Sequence, residues 1–393
     1  MRLALMPKSF VPRAIVCAIA CSTLADCSST VPFDFSASEK RQLSDELLIQ
    51  IGPAEVALEK SKVLYLSDEI KAQLSSRIDK DWAAQRKLRE LRKMLFSEAE
   101  LGISYAAGDT RTAMQTLEAR SGNCLSMSNL FIASARHVGL DASFQTVEVK
   151  PSWDHSGGTM IRYEHIVATG RMLGESRYVV DFLPEFILGD YDSAPVADRI
   201  ALALYYSNLG AESLVENDTG SAITHLKKSL SLNADSSDAW SNLGAAMRRA
   251  GKFELAEYSY SRALKSDPQN FSALNNLVAL YQFQGRKSEA KLLSERVARY
   301  RGRNPYYHFF LANLLLEKGE YEDALSPLRR SIRLKHDESD FYRVLAQTHA
   351  ALGDVHSSQR MAARARKYQK KVPTVEENEM GHRFWTDGVL IRH

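Results

Sequence analysis

The chain has 393 residues, a formal net charge of +3, and 45% hydrophobic and 25% charged residues. That length is too great for one ordinary domain and points to two or three. The average composition excludes a chain that is disordered as a whole, and the near-neutral charge gives no basis for nucleic acid or another polyanion as partner.

In chain order, Lys8 and Arg13 precede an apolar run over 14–25. The run is too short to span a bilayer and has the length of a signal-peptide core, so 1–26 reads as an export signal. It closes at Leu24-Ala25-Asp26-Cys27, which resembles the lipobox of bacterial lipoproteins. That resemblance implies lipidation at Cys27 and a place on the periplasmic side of the cell envelope, anchored to the outer membrane, with membrane contact through the lipid alone. Asp26 departs from the small residue expected there, and Ala18-Ile19-Ala20-Cys21 is a rival site. Cleavage removes Arg2, Lys8, Arg13 and Asp26, lowering the net charge by two to +1. It also leaves Cys124 as the one free thiol, so no internal disulfide can form.

Residues 27–37 read as a polar tether and 38–109 as a helical lead-in packed on a catalytic core, with helices over 39–51, 55–65, 67–78 and 81–96. Ser67 suits the N-cap of the third, whose apolar stripe is Ile70, Leu74 and Ile78. The fourth carries Arg86, Lys87, Arg89, Arg92 and Lys93, read as a solvated basic face. A further helix over 110–119, capped by Asp109 or Thr110, leads to the turn at Gly122 and Asn123.

Apolar spacing begins directly after that turn, at Met127, Leu130, Phe131, Ala135 and Val138, so Cys124 falls at a helix N-terminus. The free N–H groups and positive end of a helix favour a thiolate, which is the nucleophilic form. After a strand over 142–149, His165 and Asp181 lie in two further β-like runs joined by a Gly-containing turn. Adjacent antiparallel strands can set an Asp beside a His, so that the carboxylate holds the imidazole tautomer while the ring serves the sulfur. His155, in the loop over 151–158, is a rival base without a strand to hold it, and Trp153 in that loop is a candidate substrate-lining residue. No short-spaced ligand pair suggests a metal, and no cofactor is expected.

These residues resemble the transglutaminase-like core of the papain-type cysteine enzymes. Gly122-Asn123-Cys124, then Ala135-Arg136-His137-Val138-Gly139-Leu140, then His165 and Asp181 follow that family's order. The resemblance implies an α+β fold over 110–195, with the Cys-bearing helix packed on antiparallel strands. It also implies Cys124 as nucleophile, His165 as general base and then acid, and Asp181 as the orienting residue. The Trp or Gln that family members use for the oxyanion has no match by spacing; Gln115 is the candidate, with the Cys124 backbone N–H as a contributor.

The second half repeats every 34 residues, in units 203–236, 237–270, 271–304, 305–338 and 339–372. Trp240, Leu243, Gly244, Gly251, Ala256, Tyr260, Ala263 and Pro268 resemble the tetratricopeptide pattern. The resemblance implies an all-α superhelix of antiparallel helix pairs, with Arg248, Asn275, Gln282, Asn313 and Arg343 on the concave surface to hold a protein partner. The tail, 373–393, leaves the period, and Phe384 and Trp385 are apolar enough to dock on the fold. Together these features lead us to expect an exported thiol enzyme that cleaves peptide or protein amides. The competing expectation is a non-enzymatic scaffold in which the repeats bind proteins and the thiol domain is structural.

Overall fold

The computed structural model describes residues 35–48, 52–106, 110–148, 152–153, 160–161, 164–172, 177–182, 195–368, 376–377 and 383–386. The export signal, Cys21, Cys27 and His155 lie outside them. No helix among the described residues is long and apolar enough to cross a membrane.

Four helices open the fold: α1 Ala37–Leu47, α2 Pro53–Val63, α3 Asp68–Arg77 and α4 Ala84–Phe96. Ser36 starts α1 through a capping box with Glu39, and the Ser67 hydroxyl caps α3 by accepting from the Ile70 N–H. The four helices do not act as one lead-in. Helices α3 and α4 bury Leu74, Leu88, Leu91, Leu95 and Phe96 in the core shared with the Cys124 helix. Helix α2 gives Val63 to that core while packing on the first repeat, and α1 runs along the repeats instead. There Phe35 sets its ring edge-on to Tyr258, and Lys227 donates to the Glu46 carbonyl at 2.6 Å. The α4 basic face is likewise not wholly solvated. Lys87 is buried and reaches the Gly139 carbonyl at 3.3 Å, its stem covering apolar surface while its ammonium finds a backbone acceptor.

Two short strands, β1 Ser104–Tyr105 and β2 Ser121–Gly122, form a parallel ladder on either side of α5 Ala113–Ala119, and α6 Cys124–His137 follows at once. Strands β3 Ser143–Glu148, β6 Glu164–Arg171, β7 Arg177–Asp181, β8 Pro195–Val196, β9 Glu376–Glu377 and β10 Arg383–Thr386 form one sheet in the order β8-β3-β6-β7-β10-β9. A separate ladder, β4 Ser152–Trp153 with β5 Met160–Ile161, lies in the connection between β3 and β6. One face of the sheet, through Phe144, Ile166, Ala168, Tyr178 and Val180, packs on α6 and α4 with Phe96, Phe131 and Phe182 at the centre. The tail finds its place here: β10 pairs antiparallel with β7, Arg383 opposite Asp181.

Five helix pairs complete the chain: α7 Asp198–Val215 with α8 Thr219–Leu232, α9 Ser237–Arg249 with α10 Phe253–Ser266, α11 Phe271–Phe283 with α12 Lys287–Arg303, α13 Pro305–Glu317 with α14 Tyr321–Leu334, and α15 Ser339–Ala351 with α16 Val355–Tyr368. From α9 onward the first helices begin at 34-residue intervals, and Gly251, Gly285, Gly319 and Gly353 hold positive φ in the turns between partners. The first pair keeps the period at α8, which begins 34 residues before α10, but its first helix is longer at the start. Helix α7 begins at 198 rather than 203, because Asp198 in its first turn is held by the Arg136 guanidinium at 2.8 Å and by Lys60 at 2.7 Å.

Close approach within a pair depends on small residues. A Cβ on Gly244 would come within 2.5 Å of the buried Tyr260 ring. Gly244→Leu is therefore expected to destabilise the fold by about 1–3 kcal/mol through overpacking, read as a lowered urea midpoint for the full chain.

Candidate active site

The turn into α6 is built by side chains that satisfy its first amides. Asn123 is the N-cap: its Oδ1 accepts from the Ser126 N–H at 2.9 Å and from the Ser126 hydroxyl at 2.8 Å, while its Nδ2 donates to Thr110 Oγ1 at 2.8 Å. The Arg111 N–H in turn donates to Ser126 Oγ at 2.8 Å. Gly122 is required by the same packing, since a Cβ there would meet the Ser126 Cβ at 2.6 Å and Thr116 at 3.2 Å. Cys124 is thereby held at the first position of α6, half-buried, with its thiol free. Its own N–H belongs to the helix end that has no intrahelical acceptor.

Register brings the other two residues together. Ala168 lies opposite Val180, so Val167 faces Asp181, and His165, two residues along, shares that face diagonally. The His165 Nε2 meets Asp181 Oδ1 at 2.7 Å, and both residues are 2% exposed. Nδ1 is buried without a hydrogen bond and is the ring nitrogen left to exchange a proton with the thiol. Burial works against charge on the ring, but the hydrogen bond to Asp181, the Cys124 sulfur and the Asp181 charge outweigh it and raise the imidazole from 6.5 to about 9. The structure thus brings Cys124, His165 and Asp181 into one neighbourhood, and that neighbourhood favours the charged form of the ring.

The same sheet face carries Val147, Val167 and Val179 as a small apolar cluster beside the pair. Beyond them Arg177 donates to Gln145 Oε1 at 3.3 Å and to Thr169 Oγ1 at 3.4 Å. None of these polar neighbours was singled out from the sequence, because only pairing register assigns them to this face.

Gln115 has a different task from the one expected. It is exposed on α5, and its Oε1 accepts from the Thr112 N–H at 3.0 Å while its own N–H donates to Thr112 Oγ1, a capping box. The cap of α5 is Thr112, not Asp109 or Thr110, and Thr110 serves Asn123 instead. Gln115 is therefore a helix-start residue. The Trp153 backbone lies in β4, and its side chain is outside the described residues. Among the described residues no group of three or more His, Cys, Asp or Glu could hold a metal.

The surface residues of the repeats divide. Arg248 is half-buried and acts on the buried Tyr260 hydroxyl between α9 and α10, so its guanidinium is turned into the pair rather than onto an open surface. Arg343 is exposed but held by Asp340 at 3.0 Å. Asn275 and Asn313 are half-buried, and Asn275 lines a cleft with Arg301 and Tyr307.

Comparison with known proteins agrees with both halves. Residues 70–172 match the family model of the transglutaminase-like superfamily, and 237–270 and 276–339 match two tetratricopeptide repeat models. The first match begins within α3, in keeping with the packing of α3 and α4 on α6; it includes Cys124 and His165 and ends before Asp181. The chain is 28% identical over 153 residues to the tetratricopeptide repeat-containing protein trd-1 of Caenorhabditis elegans, covering 38% of this chain and 20% of that protein. It is 24% identical over 161 residues to Superkiller protein 3 of Schizosaccharomyces pombe, covering 41% and 9%. The chain thus spans a fifth or less of these curated relatives. Among solved structures, MamA AMB-1 is 19% identical over 43% of this chain and 93% of that chain, with a TM-score of 0.24. YrrB, a tetratricopeptide protein described as having an unusual peptide-binding site, is 17% identical over 42% and 86%, also at 0.24. The chain therefore carries a transglutaminase-like core followed by tetratricopeptide repeats, an arrangement that supports protein binding.

Proposed function

We propose that this protein is a thiol acyl-transfer enzyme acting on peptide or protein amides, with Cys124 as nucleophile, His165 as acid and base, and Asp181 as the residue that orients the ring. The observation that carries the reading is the buried 2.7 Å contact between His165 and Asp181 beside a cysteine at a helix N-terminus. The contact favours the protonated ring, so the Cys124 proton is taken up at His165 Nδ1 before attack. In the forward step the Cys124 sulfur bonds to the amide carbon, and the negative oxygen is met by the Cys124 N–H at the positive end of α6. His165 then gives its Nδ1 proton to the departing amine as the carbon–nitrogen bond breaks, leaving a thioester and a neutral ring. Water, deprotonated by that ring, completes hydrolysis; an amine in its place completes transamidation. The family resemblance favours hydrolysis. The repeats hold the substrate or a partner, and the signal over 1–26 with Cys27 supports work in the cell envelope on a lipid anchor.

An electrophilic peptide probe tests the chemistry, with intact mass as the readout. Wild-type protein is expected to gain one probe mass and Cys124→Ala none, while His165→Ala reacts at least about 10²-fold more slowly. Equal labelling of wild type and His165→Ala at matched pH would refute the assigned roles and leave the scaffold reading.

The His165 pair also predicts a pH dependence of stability. Because its folded pKa lies above the ordinary 6.5, the contribution of the pair is fully present below about 6.5 and is lost as pH rises through about 9. Its size is on the order of 3 kcal/mol, the free-energy equivalent of that shift. The stability gap between wild type and Asp181→Asn should therefore be widest near pH 6 and close above pH 9, as measured by urea denaturation across pH. A gap that does not change with pH would show that the ring is neutral in the folded state.

A further inference from the structure

Helix α13 is out of step with the other first helices of the array. It reads Pro305-Tyr306-Tyr307-His308-Phe309-Phe310-Leu311-Ala312-Asn313-Leu314-Leu315-Leu316-Glu317, yet Ala312 is its one fully buried residue, whereas α9, α11 and α15 each bury six or seven. Part of its apolar side lies open as a groove of about 530 Å³ between α13 and its partner α14, floored by Leu311 and Leu315. Every ionisable residue of the groove is basic: His308 and Lys318 from α13, and Arg330 and Arg333 from α14. The three permanent cations have no carboxylate within ion-pair distance among the described residues. Arg330 spends one donor on the Gly302 carbonyl at 3.3 Å, and the His308 ring lies 3.1 Å from the same oxygen.

An apolar floor rimmed by unneutralised cations is complementary to one kind of ligand: a chain with large apolar side chains flanked by carboxylates. Helix α13 lies against β4, in the connection that leads into the His165 strand. The groove is formed within one helix pair, and none of the residues expected on the concave face lines it.

We propose that the groove between α13 and α14 captures acidic, apolar segments of polypeptide substrates. The role as substrate selector rests on the enzymatic reading above, whereas binding itself does not.

The test uses full-length Cys124→Ala protein and fluorescence anisotropy with a labelled peptide of Glu, Leu and Phe. Controls are the same peptide with Lys for Glu, and polyglutamate without apolar residues. The acidic apolar peptide is expected to bind, and the Lys peptide and polyglutamate to bind at least about tenfold more weakly. Lys318→Glu combined with Arg333→Glu changes two exposed side chains, so the fold is retained, and affinity is expected to fall at least about tenfold. Equal binding of Glu and Lys peptides, equal binding of polyglutamate, or an unchanged affinity in the double variant would each overturn the proposal. Because the protein tested lacks the thiol, failure here leaves the probe-labelling result for Cys124 untouched, and failure of labelling leaves the groove standing.

Discussion

A carboxylate and an imidazole brought out of water together, Asp181 and His165, make the demand that the rest of the catalytic half meets. Burying either alone is costly, so the pair exists only if two strands stay in one register. That register is fixed at the far end of the β6–β7 hairpin. The Tyr178 hydroxyl donates to the Asp141 carbonyl at 2.6 Å, Thr169 Oγ1 donates to the Tyr178 carbonyl at 2.8 Å, and the Arg171 N–H donates to Asp141 at 2.8 Å. A slip by one residue would exchange the places of His165 and Ile166, putting a polar ring into the core. The sheet also carries β10 on the outer side of β7, so the Asp181 strand is not the sheet's edge.

The repeat array is joined to this half as part of one core. Ala201, Leu202, Tyr205, Tyr206 and Leu232 of the first pair belong to the same buried cluster as Phe96, Phe131 and Val180. Around that seam the charges are paired. Arg136, which the resemblance marked only as part of a helix-end pattern, grips Asp198 with two donors and the Ala142 carbonyl with a third. Glu59 of α2 sits among Tyr206, Lys62 and Lys228; burial opposes its charge, but these donors hold its carboxyl down at about 2. The first repeat is therefore anchored to the thiol domain.

Further along, the packing rule changes. The second and third pairs have first helices that bury aromatic and leucine side chains, including Trp240, Leu243, Phe271 and Leu277. The last two pairs share a smaller separate cluster, Ala312, Ala324, Leu328, Val344 and Leu345. A repeat array is stabilised pair by pair, so one pair can leave an apolar helix half-buried without unfolding its neighbours. That local independence is what frees α13 for recognition.

Much of this was legible in the residues. The 34-residue period, the helix that begins at Cys124 and the strand-borne His165 and Asp181 follow from spacing and turn chemistry, because helices and strands impose periods that side chains must match. The caps were harder: Asn123 was visible as a turn residue, but its service to Ser126 and Thr110, and the use of Gln115 on its own helix rather than on an oxyanion, depend on which acceptor lies within reach. What local pattern settled was the kind and order of the elements. What only the tertiary structure decided was which surfaces met: α1 and α2 on the repeats, Arg136 on Asp198, the tail strand on β7 and α13 left half-buried. Those outcomes depend on competition among many apolar faces and charges distant along the chain, and no short stretch of sequence contains that competition.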